Sequence, residues 1–91
     1  MPRKILSISD ALRSPLRRRI FLKILEQPGI TLRRLARELD IGMGNLASHI
    51  LILERVGLVL EKRSGFKVRL FPNSSILLNG GLRGEAPVEE E

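Results

Sequence analysis

Two clusters of cationic side chains stand at spacings that suit the neutralisation of closely spaced anions. Arg33, Arg34 and Arg37 share the polar side of a short amphipathic segment, and Lys62, Arg63, Lys67 and Arg69 gather around a candidate turn. Arg outnumbers Lys twelve to four, and the planar guanidinium fork matches phosphate oxygens better than an ammonium does. A solvated charge face would carry the same residues. Two basic patches flanking one helix nevertheless favour phosphate contacts, and Thr31 at the head of the amphipathic segment belongs with them. Some of Arg17, Arg18 and Arg19 are expected to clamp the fold or to meet a second subunit.

Other chemistries lack their parts. His49 is the only histidine and cysteine is absent, which leaves no basis for a thiolate or multi-histidine metal site, a disulfide framework or a thiol switch. No nucleophile stands beside a base, no carboxylate pair frames a pocket, and no glycine-rich loop cradles a phosphate. Neither enzymatic activity nor a cofactor is expected.

The elements that would position the cations are marked by start and stop signals. Ser7 or Ser9 can cap a short helix through Leu12, with Asp10 at capping-box spacing from Ser7. Ser14-Pro15 is a stronger start, a capping hydroxyl followed by proline at the first helical position. Leu16, Ile20, Phe21, Ile24 and Leu25 then recur at helical spacing until Pro28-Gly29. Thr31 caps the next helix, whose Leu32, Leu35, Ala36 and Leu39 form one apolar stripe. After the Asp40-Ile41-Gly42 turn, a helix is expected from about Met43 to Val56, with Leu46, Ile50 and Leu53 inward and Gly57 ending it. Gly42 and Gly44 near its start are each expected to cost roughly 1 kcal/mol of helix stability relative to alanine.

Beyond Gly57 the period changes to two. A three-residue loop of Arg63, Ser64 and Gly65 would pair Leu60 with Val68 and Leu58 with Leu70 on one face, and Glu61 with Lys67 on the other. A two-residue Ser64-Gly65 loop would set Leu60 against Arg69 and fits the pattern less well. Pro72-Asn73-Ser74-Ser75 ends the hairpin, and Ile76-Leu77-Leu78 offers a short strand, a turn of helix or a contact with a second copy.

The 91 residues suffice for one domain and carry a net charge of +6. From Gly80 onward Arg83 faces four glutamates, whereas residues 1–79 hold 15 basic against 6 acidic side chains, or +9. Such a domain is attracted to polyanions, either nucleic acid or an anionic membrane surface. The expected organisation is a basic domain over 1–79 and an acidic, flexible tail over 80–91. The N-terminus lacks the apolar run of a signal peptide and no stretch reaches transmembrane length, so a cytoplasmic protein is expected.

Residues 11–59, ALRSPLRRRIFLKILEQPGITLRRLARELDIGMGNLASHILILERVGLV, resemble the DNA-binding domain of ArsR-type and MarR-like regulators. The Ser-Pro start, Ile20-Phe21, Pro-Gly, Leu35-Ala36, the stretch Leu46 to Ile50, Leu53-Glu54 and Gly57-Leu58-Val59 occur in the family's order. The resemblance implies a mainly α fold with a small β-hairpin wing (α+β), a winged helix-turn-helix on a three-helix core. In that family the third helix, here about 43–56, enters the major groove of double-stranded DNA. The wing, here 58–71, follows the backbone or minor groove. Carried over by position, Met43, Gly44, Asn45, Ala47 and Ser48 face bases; Asn45 suits a bidentate contact to adenine and Ser48 can donate or accept. His49 falls at a position that packs and hydrogen-bonds structurally.

The resemblance implies a prokaryotic transcription regulator, archaeal in one version, acting as a nucleoid-associated homodimer; 91 residues leave no room for a separate ligand-sensing domain, so no small-molecule effector is expected. Dimerisation through Ile5–Leu12, the first long helix and Ile76–Leu78 would present two half-sites about 34 Å apart. Departures from the family pattern bear on specificity. The third helix has no Lys or Arg before Arg55, Asp40 replaces a glycine often found in the turn, and Leu51 occupies a commonly basic position followed by Ile52. Two alternatives therefore stay open: a weakly sequence-specific architectural DNA-binding protein, and a winged-helix interaction module of a replication or transcription complex.

Overall fold

A computed structural model of the chain describes residues 7–74. The expectations for Ile5 and Leu6, for Ile76–Leu78 and for the acidic stretch 80–91 lie outside the described residues. Helices begin where a hydroxyl can take up a free backbone N–H. For α1 (Ile8–Ala11), the Ser7 hydroxyl accepts from Asp10 N–H and the Asp10 carboxylate accepts from Ser7 N–H, completing a capping box. Ser14 caps α2 (Pro15–Glu26) by accepting from Arg17 N–H, with Pro15 at the first position. Thr31 caps α3 (Leu32–Leu39) by accepting from Arg34 N–H. The fourth helix, α4 (Met43–Arg55), is different: Gly42 stands at its N-cap and no side chain caps it. The helix-interior cost expected for Gly42 therefore does not apply, because glycine at an N-cap is only a few tenths of a kcal/mol worse than a polar cap.

Two helices end on left-handed residues. Gly57, at φ 83°, closes α4: its N–H reaches the Glu54 carbonyl, and Leu58 N–H reaches the Leu53 carbonyl. Asp40, at φ 57°, closes α3 in the same way, with bonds from Asp40 to Arg37 and from Ile41 to Ala36. Both are Schellman pairs, and aspartate tolerates the left-handed region that glycine otherwise fills.

The sheet has three antiparallel strands, β1 (Ile30–Thr31), β2 (Val59–Ser64) and β3 (Lys67–Pro72), in the order β1-β3-β2. The two-residue β1 was not expected from the sequence. It pairs Ile30 with Leu70 and Thr31 with Arg69. Gly29 delivers the chain to it at φ 90°, donating to the Leu70 carbonyl at 2.7 Å and lying where a Cβ would touch the Phe71 ring.

The hairpin register corrects the expectation. Ser64 pairs with Lys67, Arg63 with Val68, Lys62 with Arg69, Glu61 with Leu70 and Leu60 with Phe71, around a two-residue Gly65-Phe66 loop. Gly65 has φ 61° and Phe66 a negative φ, the pattern of a type II′ turn. The three-residue displacement exchanges the faces of β2, since side chains alternate with period two. Two causes are local. Leu58 is drawn into the turn that closes α4 and does not enter the strand, and Gly65 takes the first loop position, leaving Ser64 paired. Consequently Val59 and Leu70 are buried, while Leu60 is half exposed.

The core gathers Ala11 from α1, Ile20, Phe21 and Ile24 from α2, Leu35, Ala36 and Leu39 from α3, and Leu46, Ile50 and Leu53 from α4, against Ile30, Leu58, Val59 and Leu70. The core residues of α2, α3 and α4 belong to the stripes read from periodicity, whereas Ala11, Ile30 and Val59 were not among them. Among the described residues no helix is long and apolar enough to cross a membrane.

Candidate nucleic-acid interface

Burial of Leu35, Ala36 and Leu39 turns Arg33, Arg34 and Arg37 outward on α3. The pairing of β1 with β3 then brings the start of that helix beside Lys67 and Arg69. The result is one open cleft of about 440 Å³ whose walls include Thr31, Arg33, Arg34, Arg37, Lys67 and Arg69, with no carboxylate among its lining residues. Two cation clusters separated by thirty residues of sequence thus face one space.

The cations differ in how they are held. Arg34 Nε lies 2.8 Å from Glu38 Oε2, and Glu38 also accepts from Gln27 Nε2 and lies 3.5 Å from Lys23. The Arg34 hydrogen bond, followed by that from Gln27, holds the Glu38 carboxyl below the usual carboxylate range. Arg69 is half-buried and donates to the Gly29 carbonyl at 2.9 Å, so it sits in mid-strand and not at the tip of the hairpin as its sequence position suggested. Among the described residues Arg33, Arg37, Lys62 and Lys67 form no ion pair. Lys62 shares a face with Arg69, its cross-strand partner. Arg63 points to the other face, toward α4, where its Nε lies 3.1 Å from Glu61.

A second groove of about 310 Å³ joins this cleft to α4. Thr31, Arg33 and Lys67 line both, and Leu32, Met43, Phe66 and Val68 complete the second. Burial of Leu46, Ile50 and Leu53 leaves Met43, Gly44, Asn45, Ala47 and Ser48 exposed. The Ser48 hydroxyl donates to the Gly44 carbonyl, which leaves its lone pairs as its outward capacity. Nothing stands within 4 Å of where a Cβ would lie on Gly42 or Gly44, so packing does not require glycine at either place. The cationic cleft and the start of α4 at Met43 therefore adjoin through this second groove, whereas Ala47 and Arg63 line a different groove, between α4 and the hairpin.

His49 and the arginines of α2 hold the helices together. Arg17 Nη1 lies 3.2 Å from His49 Nδ1 and Arg17 Nε donates to the Ala11 carbonyl, tying α4 to α1 through α2. Burial, then the Arg17 charge, lowers the His49 pKa, which favours the neutral ring that can accept from Arg17. Arg18 donates to the Leu12 and Arg13 carbonyls. Arg17 and Arg18 are thus clamps.

Two features escaped the sequence reading. Phe66 stands fully exposed at the hairpin tip (106%); a Gly-X pair between strand-like runs is the type II′ signal that marks it. Glu54 of α4 faces Glu61 and Arg63 across a groove, and its Oε2 is buried without a hydrogen-bond partner. Burial and the adjacent Glu61 carboxyl push Glu54 up to about 7, against the opposing pull of Arg63. That pair depends on the three-residue shift in register.

A crystal structure of a possible transcriptional regulatory protein fragment from Mycobacterium bovis superposes with a TM-score of 0.70 at 18% identity, covering 84% of this chain and 81% of that one. A solution structure from the same organism has a TM-score of 0.63 at 16% identity, covering 89% and 83%. It is described as the homodimeric winged helix-turn-helix DNA-binding domain of a possible ArsR-family transcriptional regulator. At these identities the likeness establishes the fold, a winged helix-turn-helix with β2 and β3 as the wing. No curated protein is significantly similar in sequence. Residues 12–62, more than half of the chain, match the family model of a helix-turn-helix domain, and the chain belongs to that family.

Proposed function

We propose that the protein is a DNA-binding transcription regulator that docks α4 in the major groove of a duplex and lays its cationic cleft along the phosphates. The observation that carries this reading is the cleft itself, whose lining holds five cations and no carboxylate and which continues, through the groove shared by Thr31, Arg33 and Lys67, to Met43 at the start of α4. Met43, Gly44, Asn45, Ala47 and Ser48 meet base edges, and Asn45 supplies the bidentate contact to adenine. Thr31, Arg33, Arg34, Arg37, Lys62, Lys67 and Arg69 bind phosphates; Arg63, turned toward Glu61, contributes least. The protein acts by binding and not by catalysis, in the cytoplasm on the nucleoid, without a small-molecule effector. It works as a homodimer, as the structurally similar Mycobacterium bovis domain does.

The test is selection from random duplex DNA, followed by titration against salt. A recovered palindrome with half-sites about one helical turn apart supports a two-fold regulator. With about six phosphates neutralised, log K falls with log salt at a slope near −5. A flat salt response removes the reading. One observation favours a second version: α4 offers only Asn45 and Ser48 as polar side chains in its exposed first turns, and no cation before Arg55. Selection that returns no preferred sequence, with the slope intact, identifies an architectural DNA-binding protein.

A further inference from the structure

We propose that Phe66 is a wedge that enters the minor groove of the bound duplex and kinks it; the inference rests on the DNA-binding reading above. The type II′ turn at Gly65-Phe66 lifts the phenyl ring entirely into solvent at the end of the hairpin. No core residue needs it there, and an unshielded phenyl ring on a free surface is unfavourable. Its surroundings select the occupant by charge. Phe66 stands on the rim of the groove it shares with Arg33, Met43 and Lys67, and that groove continues into the five-cation cleft. A partner that covers the ring therefore brings closely spaced anions with it.

Shape narrows the choice. A minor groove about 6 Å wide excludes a helix but admits a single side chain carried on a two-residue turn. Apolar side chains inserted there separate adjacent base pairs and bend the duplex toward the major groove. Pyrimidine–purine steps unstack most readily, so the wedge adds a preference for such a step at a fixed offset from the bases read by α4. This supplies specificity that α4 lacks in cationic side chains.

The test compares the full chain with Phe66→Ala and Phe66→Trp on a short mixed-sequence duplex containing TA steps, dye-labelled at both ends and carrying 2-aminopurine beside one step. An exposed residue can be changed without loss of the fold, and Arg33→Glu/Arg37→Glu serves as the control for DNA binding itself. The expected result is a bent duplex and brightened 2-aminopurine with the native chain and with Phe66→Trp. With Phe66→Ala the bend is lost and affinity falls about tenfold, the scale of one base–aromatic stack. Unchanged bend and affinity in Phe66→Ala, with the control still abolishing binding, overturns the wedge and leaves the DNA-binding reading intact. No binding of any duplex by the native chain at low salt overturns both. Loss of anionic-vesicle binding in Phe66→Ala, with duplex binding unchanged, assigns the ring to a membrane surface and overturns the wedge.

Discussion

Lys62, Lys67 and Arg69 share one face of the β2–β3 hairpin, while Glu61 and Arg63 share the other. On the first face the charges are all of one sign, and among the described residues the only fixed partner is the Gly29 carbonyl that receives Arg69. On the second the charge is closed internally: Arg63 pairs with Glu61, and burial beside the Glu61 carboxyl pushes Glu54 up to about 7. One sheet therefore separates a surface that an external anion completes from a seam that needs none. Like charges left together on the open face repel modestly in water. Their value lies in the counterions that a phosphate-bearing partner releases.

The largest expected effect breaks the open face. Arg33→Glu with Arg37→Glu reverses two cations that have no ion-pair partner among the described residues, and Arg34 is spared because it anchors Glu38. Duplex affinity should fall by at least about a hundredfold on all sequences alike, and the slope of log K against log salt should change by about 2 toward zero. Thermal melting should stay within about 0.5 kcal/mol of the native chain, since both side chains are exposed. A sequence-dependent loss would show that these arginines read bases.

Asn45→Ala sharpens the comparison from the side of α4. Its expected effect is a loss of about 1–3 kcal/mol of discrimination at one adenine position, with non-specific affinity unchanged. Repeating the duplex selection with the variant measures it. An unaltered ranking of sites would remove Asn45 from the base-reading role.

The closed face should reveal itself through pH. Burial and the Glu61 carboxyl push folded Glu54 up to about 7, from an ordinary value of 4.5 in the unfolded chain. Between those values the folded state binds more protons, so stability is fullest below about 4.5 and is lost as pH rises through about 7. With solvent screening of this half-buried group, the loss should be about 1 kcal/mol, or roughly 5 °C in Tm for a domain of this size. Melting curves of the native chain and of Glu54→Gln across that range should diverge, the variant losing the downward trend. Parallel curves would mean that the carboxyl is ionised throughout.

How much of this was legible in the sequence depends on distance along the chain. Caps at Ser7, Ser14 and Thr31 and the Leu32–Leu39 stripe are local signals, and α1, α2 and α3 follow them closely; α4 follows its own stripe of Leu46, Ile50 and Leu53. The hairpin register was not legible, because Leu58, Val59 and Leu60 place apolar residues on both candidate faces of β2. The choice is settled by the α4 terminus, which takes Leu58, and by a glycine at the head of the turn. Strand β1 has only two residues, and its partners Arg69 and Leu70 lie about forty positions away, so no local period reveals it. Both cation clusters could be named from the sequence. Their convergence could not, because β1 is the element that joins them.

Gly44 supports the smallest effect, and it separates the needs of the fold from those of the interface. The residue lies in the first turn of α4 with open space where a Cβ would point. Alanine there should stabilise the protein by about 0.5 kcal/mol, because glycine loses more backbone freedom on folding and nothing obstructs the methyl group. If the start of α4 lies against a duplex, the same methyl group occupies space the duplex needs, and affinity should fall severalfold while Tm rises. Paired melting and binding titrations of Gly44→Ala read both signs at once. A gain in stability with unchanged affinity would place the duplex away from this turn, and the contact would then rest on Asn45, Ser48 and the cationic cleft.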